Sequence, residues 1–154
     1  MYVLERDPYR ISTDPSLLDL DVIHDYLHHS YWSPGVPREQ VEQAIANSLV
    51  FGLYRVTAQN SQQIGFARVI TDYTSMAYLA DVFVLPEARG HGLGVWLIDS
   101  IMNCPHLQTI RSFSLATRDA HELYRKFGFE AIDSTLYMIK RYNVSWRQPN
   151  LARE

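Results

Sequence analysis

Three strand-like runs, Leu49 to Thr57, Gln63 to Thr71 and Ala77 to Leu85, are joined by the polar turns Gln59-Asn60-Ser61 and Tyr73-Thr74-Ser75. Connections this short permit hairpins and forbid the long crossover that a parallel pair requires. The centre of the chain is therefore an antiparallel meander, and the rest must pack around it. Ahead of it, Tyr9 to Thr13 reads as a short strand broken by Asp14-Pro15. Leu20, Ile23, Tyr26 and Leu27 recur at helical spacing within Leu17 to His29, and a second helix opens at Pro37 and ends near Asn47. After Leu85 the Gly-rich turn Arg89 to Gly94 leads into Val95-Trp96-Leu97-Ile98-Asp99-Ser100-Ile101-Met102, apolar on most of its circumference like a helix packed under a sheet. Pro105 ends it and Thr109 to Ala116 reads as a strand. Thr117 can cap a helix carrying Ala120, Leu123, Tyr124 and Phe127, with Gly128 placed for a left-handed C-terminal cap. Phe129 to Ile132 and Thr135 to Ile139 read as a closing pair of strands. The expected fold class is α+β in layered α/β/α form: a mixed, mostly antiparallel sheet of six to seven strands flanked by four helices.

At 154 residues the chain is one domain's worth, so residues 1–154 are read as a single domain. Its 47% hydrophobic and 20% charged residues argue against disorder. The net charge of −3 comes from scattered residues and leaves no nucleic-acid footprint. Cys104 is the one cysteine, which excludes an intramolecular disulfide and a cysteine-based zinc site and fits a reducing compartment. The stretch MYVLERDPYR lacks the apolar core of a signal peptide, and no apolar run approaches the ~20 residues of a membrane span. A cytoplasmic protein with no nucleic-acid or membrane partner is expected.

The segment that carries chemistry runs from Asp81 to Gly94, a strand, a proline turn, then Arg89-x-x-Gly92-x-Gly94 opening a helix. A helix N-terminus offers unpaired N–H groups and the positive end of the macrodipole, and glycines let a bulky anion reach the backbone. An anion site, with diphosphate as the natural guest, follows. A P-loop would need Gly-Lys-Ser/Thr at the helix start, which is absent. A dinucleotide fingerprint would need a third glycine at Val95 or Leu97, and the strand before it belongs to a meander.

These residues resemble the signature of the GNAT superfamily of acyl-CoA-dependent N-acyltransferases, Arg/Gln-x-x-Gly-x-Gly/Ala, here Arg89, Gly92 and Gly94 after Val84-Leu85-Pro86-Glu87. A second match, Ala120-His-Glu-Leu-Tyr124-Arg-Lys-Phe-Gly128-Phe129, is similar to the family element Ala-x-x-x-Tyr-x-Lys/Arg-x-Gly-Phe, with Thr117 where the family often has Asn. The resemblance implies a GNAT-like fold in which the fourth and fifth strands splay apart around acetyl-CoA. It implies cofactor contacts from Phe83, Val84, Arg89, Gly90, His91, Gly92, Leu93, Gly94 and Thr117, and a backbone N–H for the acyl oxygen where the strand Asp81 to Leu85 bends. It also places Tyr124 beside the thioester, where a phenol with pKa about 10 can protonate the leaving thiolate.

A base for the amine is sought in Asp81, a charge on an otherwise apolar strand, with Asp72 and Tyr78 behind it and water as the alternative. The family implies an acceptor wall in the loop between the first two helices, where Tyr31 and Trp32 sit beside Pro34 and Gly35. His24 and His28 share one helix face at i, i+4 without an evident third ligand, so no metal is expected, and Cys104 reads as a helix-end filler. The resulting expectation is acetyl transfer from acetyl-CoA to a primary amine of a small molecule by direct attack. A non-catalytic acyl-CoA sensor and a protein N-terminal or lysine acetyltransferase are the alternatives. The aromatic-rich tail Tyr142 to Trp146 could serve a homodimer.

Overall fold

The computed structural model describes residues 1–146. Six strands lie in one sheet in chain order: β1 (Val3–Arg6), β2 (Tyr9–Ser12), β3 (Leu49–Val56), β4 (Ser61–Thr71), β5 (Met76–Val84) and β6 (Ser112–Leu115). Neighbours from β1 to β5 are antiparallel, as the short turns of the β1–β2, β3–β4 and β4–β5 pairs require, while β2 reaches β3 through a long helical connection. The β5–β6 pair is parallel, and its crossover is the helix that follows the Gly-rich turn. The helices are α1 (Leu20–His28), α2 (Arg38–Ala46), α3 (Leu93–Met102) and α4 (His121–Arg125).

Strand alternation splits the core into two layers. Phe51, Leu53, Val69 and Leu79 face α3, whose Leu97, Ile98 and Ile101 are fully covered, and Cys104 closes the helix end. On the opposite face Val50, Phe66 and Phe83 meet Ile23 and Leu27 of α1 and Val41 of α2. Each such side chain contributes roughly 1.5–3 kcal/mol on burial, so the two helical layers are held mainly by the sheet between them. Asp19 caps α1 by accepting from the N–H groups of Asp21 and Val22, which fixes where that helix begins.

Three expectations change. The strand Val3–Arg6 was not anticipated, because only Leu4 packs inward and the pattern around it is polar. The last helix is shorter than its apolar spacing suggests: Thr117 Oγ1 accepts from the Ala120 N–H and forms a turn, and helical residues begin at His121. Its end does follow the sequence. Gly128 adopts φ +88°, and the N–H groups of Gly128 and Phe129 return to the carbonyls of Arg125 and Tyr124. The closing strand pair, 129–132 and 135–139, does not form. Asp133 accepts from the Thr135 N–H and caps a short 3-10 turn, Ser134–Leu136, so the alternating apolar run meets no ladder partner. No helix among the described residues is long and apolar enough to cross a membrane.

Candidate active site

The site begins with a fault in the β4–β5 ladder. Phe66 pairs with Phe83 and Arg68 with Ala80, so Asp81 and Val82 together stand opposite Ala67. The extra residue is accommodated by a left-handed backbone at Asp81, φ +55°, a conformation that Asp tolerates better than most side chains. The bulge bends β5. Its pairing with β6 runs only from Met76–Ser112 to Leu79–Leu115, and beyond Leu79 the two strands part. Residues from Ala80 to Leu85 form one wall of the resulting cleft, and Leu115 to Ala120 with Leu123 and Tyr124 form the other. Its volume is about 1830 Å³, above the ~300–1,000 Å³ of a single small-ligand pocket.

At one end of the cleft β5 stops where Leu85 donates its N–H to Ile64 and Pro86 forbids a further ladder bond. A short 3-10 turn, Pro86–Ala88, leads to Gly90 at φ +88° and Gly92 at φ +70°, backbone positions that require glycine or nearly so. Gly92 is the N-cap of α3 and no side chain caps that helix. The first intrahelical bond joins the Trp96 N–H to the Gly92 carbonyl, leaving the N–H groups of Leu93, Gly94 and Val95 without a helix partner. A Cβ at Gly90, Gly92 or Gly94 would meet nothing within 4 Å, so the face above these amides is open to a bulky anion. Arg89 donates through Nε to the Val84 carbonyl and through Nη2 to the Tyr26 hydroxyl at 3.0 Å, pinning the turn to α1.

Of the residues expected to touch a cofactor, Phe83, Val84, Arg89, Gly94 and Thr117 line the cleft. Phe83 is buried there, its ring stacked on Tyr26 at 4.0 Å. Leu93 packs its side chain into the core and would contribute backbone only, while the His91 ring is exposed beside Tyr9. Tyr124 projects from α4 across the cleft, edge-on to Phe129 at 5.8 Å. Burial pushes its phenol above the ordinary value of 10.0, and the neighbouring Tyr31 and Asp119 add to the rise.

The other end is built from the α1–α2 loop. The Trp32 indole donates to Asp81 Oδ1 at 2.9 Å, and Arg68 Nε donates to Oδ2 at 2.5 Å. Arg68 also donates to Ser48 Oγ. The ion pair is well covered, with side-chain exposures of 17% for Arg68 and 10% for Asp81. Trp32 meets Tyr31 edge-on at 5.0 Å, and the Arg118 guanidinium lies 4.0 Å over the Tyr31 ring, joining the two walls. Behind the loop, His24 Nε2 and His28 Nδ1 both bond the Val36 carbonyl, and Trp146 packs on the same cluster.

Arg68 and Arg118 were not singled out from the sequence. Arg68 left a signal, since it is a charge within the apolar run Gly65-Phe66-Ala67-Arg68-Val69, as Asp81 is within the next strand. Asp72, a reserve candidate for the base, lies outside the cleft. It caps the β4–β5 turn, accepting from the N–H groups of Thr74, Ser75 and Met76 and from the Ser75 hydroxyl. Tyr78, the other reserve, lines the cleft.

A cleft opened by a bulge between parallel strands, with a glycine-headed helix at one end, belongs to a chain whose relatives are acetyltransferases. The family described as Acetyltransferase (GNAT) domain matches residues 50–131. FG08082 of Gibberella zeae, named as a candidate acetyltransferase, is 32% identical over 141 residues, covering 79% of this chain and 78% of its own. Histone acetyltransferase TAP1 of Glycine max is 30% identical over 127 residues, covering 77% of this chain and 53% of its own. A GNAT-family structure from Xanthomonas campestris pv. campestris has 45% identity and a TM-score of 0.79, covering 88% of this chain and 93% of its own. A Clostridium acetobutylicum structure with acetyl-CoA shares the fold at TM-score 0.59 and 18% identity, covering 85% of this chain and 94% of its own. The chain belongs to the GNAT acetyltransferase family and is by class an acyltransferase.

Proposed function

We propose that the protein transfers the acetyl group of acetyl-CoA to the primary amine of a small molecule, both substrates being held in the cleft at once. The observation that carries this reading is the single cleft opened by the Asp81–Val82 bulge, with the α3 N-terminus at one end, Tyr124 across it and the Trp32 loop at the other. Its volume exceeds that of a one-ligand pocket, which suits a ternary complex. The diphosphate would rest on the backbone amides at Gly92 to Gly94, where dipole and unpaired N–H groups favour an anion. That leaves the thioester beside the bend of β5 and the amine at the Trp32 end.

The amine nitrogen attacks the thioester carbonyl carbon, forming the C–N bond as the carbonyl oxygen takes up charge. A backbone N–H at the bend of β5 would donate to that oxygen, a reading supported by the interrupted ladder there. Collapse breaks the C–S bond, and the Tyr124 phenol gives its proton to the departing thiolate. Asp81 engages both carboxylate oxygens with Trp32 and Arg68, so the proton of the attacking amine is assigned to water in the open cleft.

Calorimetric titration of acetyl-CoA tests the donor half. A micromolar dissociation constant, on the order of −7 to −8 kcal/mol, is expected, and Gly92→Asp should weaken it by more than about tenfold. Unchanged affinity in a variant that remains folded removes the diphosphate from this turn.

A further inference from the structure

The acceptor end of the cleft holds one largely covered charge pair, and its two members cancel. Asp81 is the most covered carboxylate there, and Arg68 neutralises it through Nε. Asp25, Glu87 and Asp119 stand at the rim and are at least partly in water, where a carboxylate attracts a cation weakly. Asp72, the remaining acid near β5, is committed to its turn. Two arginines complete the balance. Arg118 sits over Tyr31 at the junction of the walls, and Arg89 is fixed at the donor end. What the acceptor meets inside is aromatic: Tyr31 and Trp32, with Tyr26 stacked on Phe83 behind them.

A polyamine or aminoglycoside carries several positive charges, which lose hydration among covered aromatic walls and are held there by carboxylate partners. This chamber supplies none that is unpaired and places a guanidinium at its mouth. A flat apolar body with one amine is matched instead, since aromatic faces bury it and only the reacting nitrogen is polar. We propose that the acceptor is a monoamine with a planar, uncharged body, and that Arg68 sets this selectivity by neutralising Asp81. The inference rests on the acetyl-transfer reading and on the acceptor lying at the Trp32 end.

The test is thiol release from acetyl-CoA with phenethylamine and spermidine as competing classes. For the wild type, kcat/KM should favour phenethylamine by at least about tenfold, because specificity is a difference of affinities and the like charge of Arg118 disfavours the polycation. Arg68→Met leaves Asp81 unpaired and should shift the ratio toward spermidine by about tenfold, with KM for acetyl-CoA unchanged. Adding Asp81→Asn to Arg68→Met should restore the preference for phenethylamine. Arg118→Gln, which leaves the ion pair in place, should move the ratio in the same direction as Arg68→Met and serves if that variant does not fold. A wild type that prefers spermidine overturns the inference while leaving acetyl transfer intact. Acetyl-CoA binding without acetylation of either amine class or any other overturns the transfer reading itself, and the inference with it.

Discussion

Burial keeps the Tyr124 phenol protonated beyond its ordinary range, which suits the acid role proposed for it at a pH where free amine accumulates. In that proposed role its interaction with the thiolate would strengthen only as the C–S bond breaks, so its loss should appear in kcat rather than in binding. Tyr124→Phe keeps the ring that packs on Phe129 and deletes the hydroxyl. Steady-state kinetics should show kcat lower by at least about tenfold, against the roughly 10²–10⁴-fold typical of general acids. Acetyl-CoA affinity should move less than about threefold, near 0.6 kcal/mol. Because the folded-state pKa is raised, the alkaline loss of wild-type kcat should lie above pH 10.0, and the Phe variant should lack that limb. Trp32 makes a second residue-scale test. Trp32→Phe retains an aromatic wall but removes the donor to Asp81, and leaving a buried acceptor short of a partner costs about 1–3 kcal/mol. Trp32→Ala should raise the KM for the amine severalfold and leave that for acetyl-CoA unchanged; a shift confined to acetyl-CoA would move Trp32 to the donor side.

Among the elements, the turn into α3 was legible from the sequence because its requirements are local. Positive φ, unpaired amides and an apolar helix behind them all follow from the glycine spacing, and Gly90 and Gly92 have the left-handed backbone. Gly92→Ala should cost about 1–2 kcal/mol of stability, the price of φ +70° for a side chain that otherwise has open space around it. The β4–β5 turn carries a pH-dependent contribution of its own. Hydrogen bonds from Ser75, Thr74 and Met76 hold the Asp72 carboxyl below its ordinary 3.8, so its stabilisation is present above that value and is lost as pH falls through and below it. Asp72→Asn should therefore melt at a lower temperature than the wild type at neutral pH, with the gap closing on acidification; a constant gap would mean the turn does not depend on the charge. The expected closing strand pair fails at this same scale. Alternation at 129–139 satisfies strand propensity, yet a strand exists only with a ladder partner, and the Asp133 cap imposes a turn instead.

For the molecule as a whole, the meander, the two helical layers and the parallel crossover could be argued from turn lengths and periodicity. The strands' relative register could not. The bulge opposite Ala67 arises between two strands, marked in the sequence only by the charges of Arg68 and Asp81 in apolar runs, and the network of Arg68, Asp81 and Trp32 forms when the sheet and the α1–α2 loop meet. The meeting of Arg118 with Tyr31 likewise joins segments far apart in the chain. The proposed donor half was thus readable in two stretches of sequence, whereas of the proposed acceptor half the sequence offered single residues and not the contacts that join them. That half makes the difference between a protein that transfers an acetyl group and one that only holds acetyl-CoA. Thiol release from acetyl-CoA with and without a primary amine, with the mass of the amine followed in the same mixture, decides between them. Saturable, amine-dependent release matched by an equal amount of N-acetylated product is the predicted result. Acetyl-CoA that binds at the α3 turn but releases no more thiol with any amine than without would contradict it.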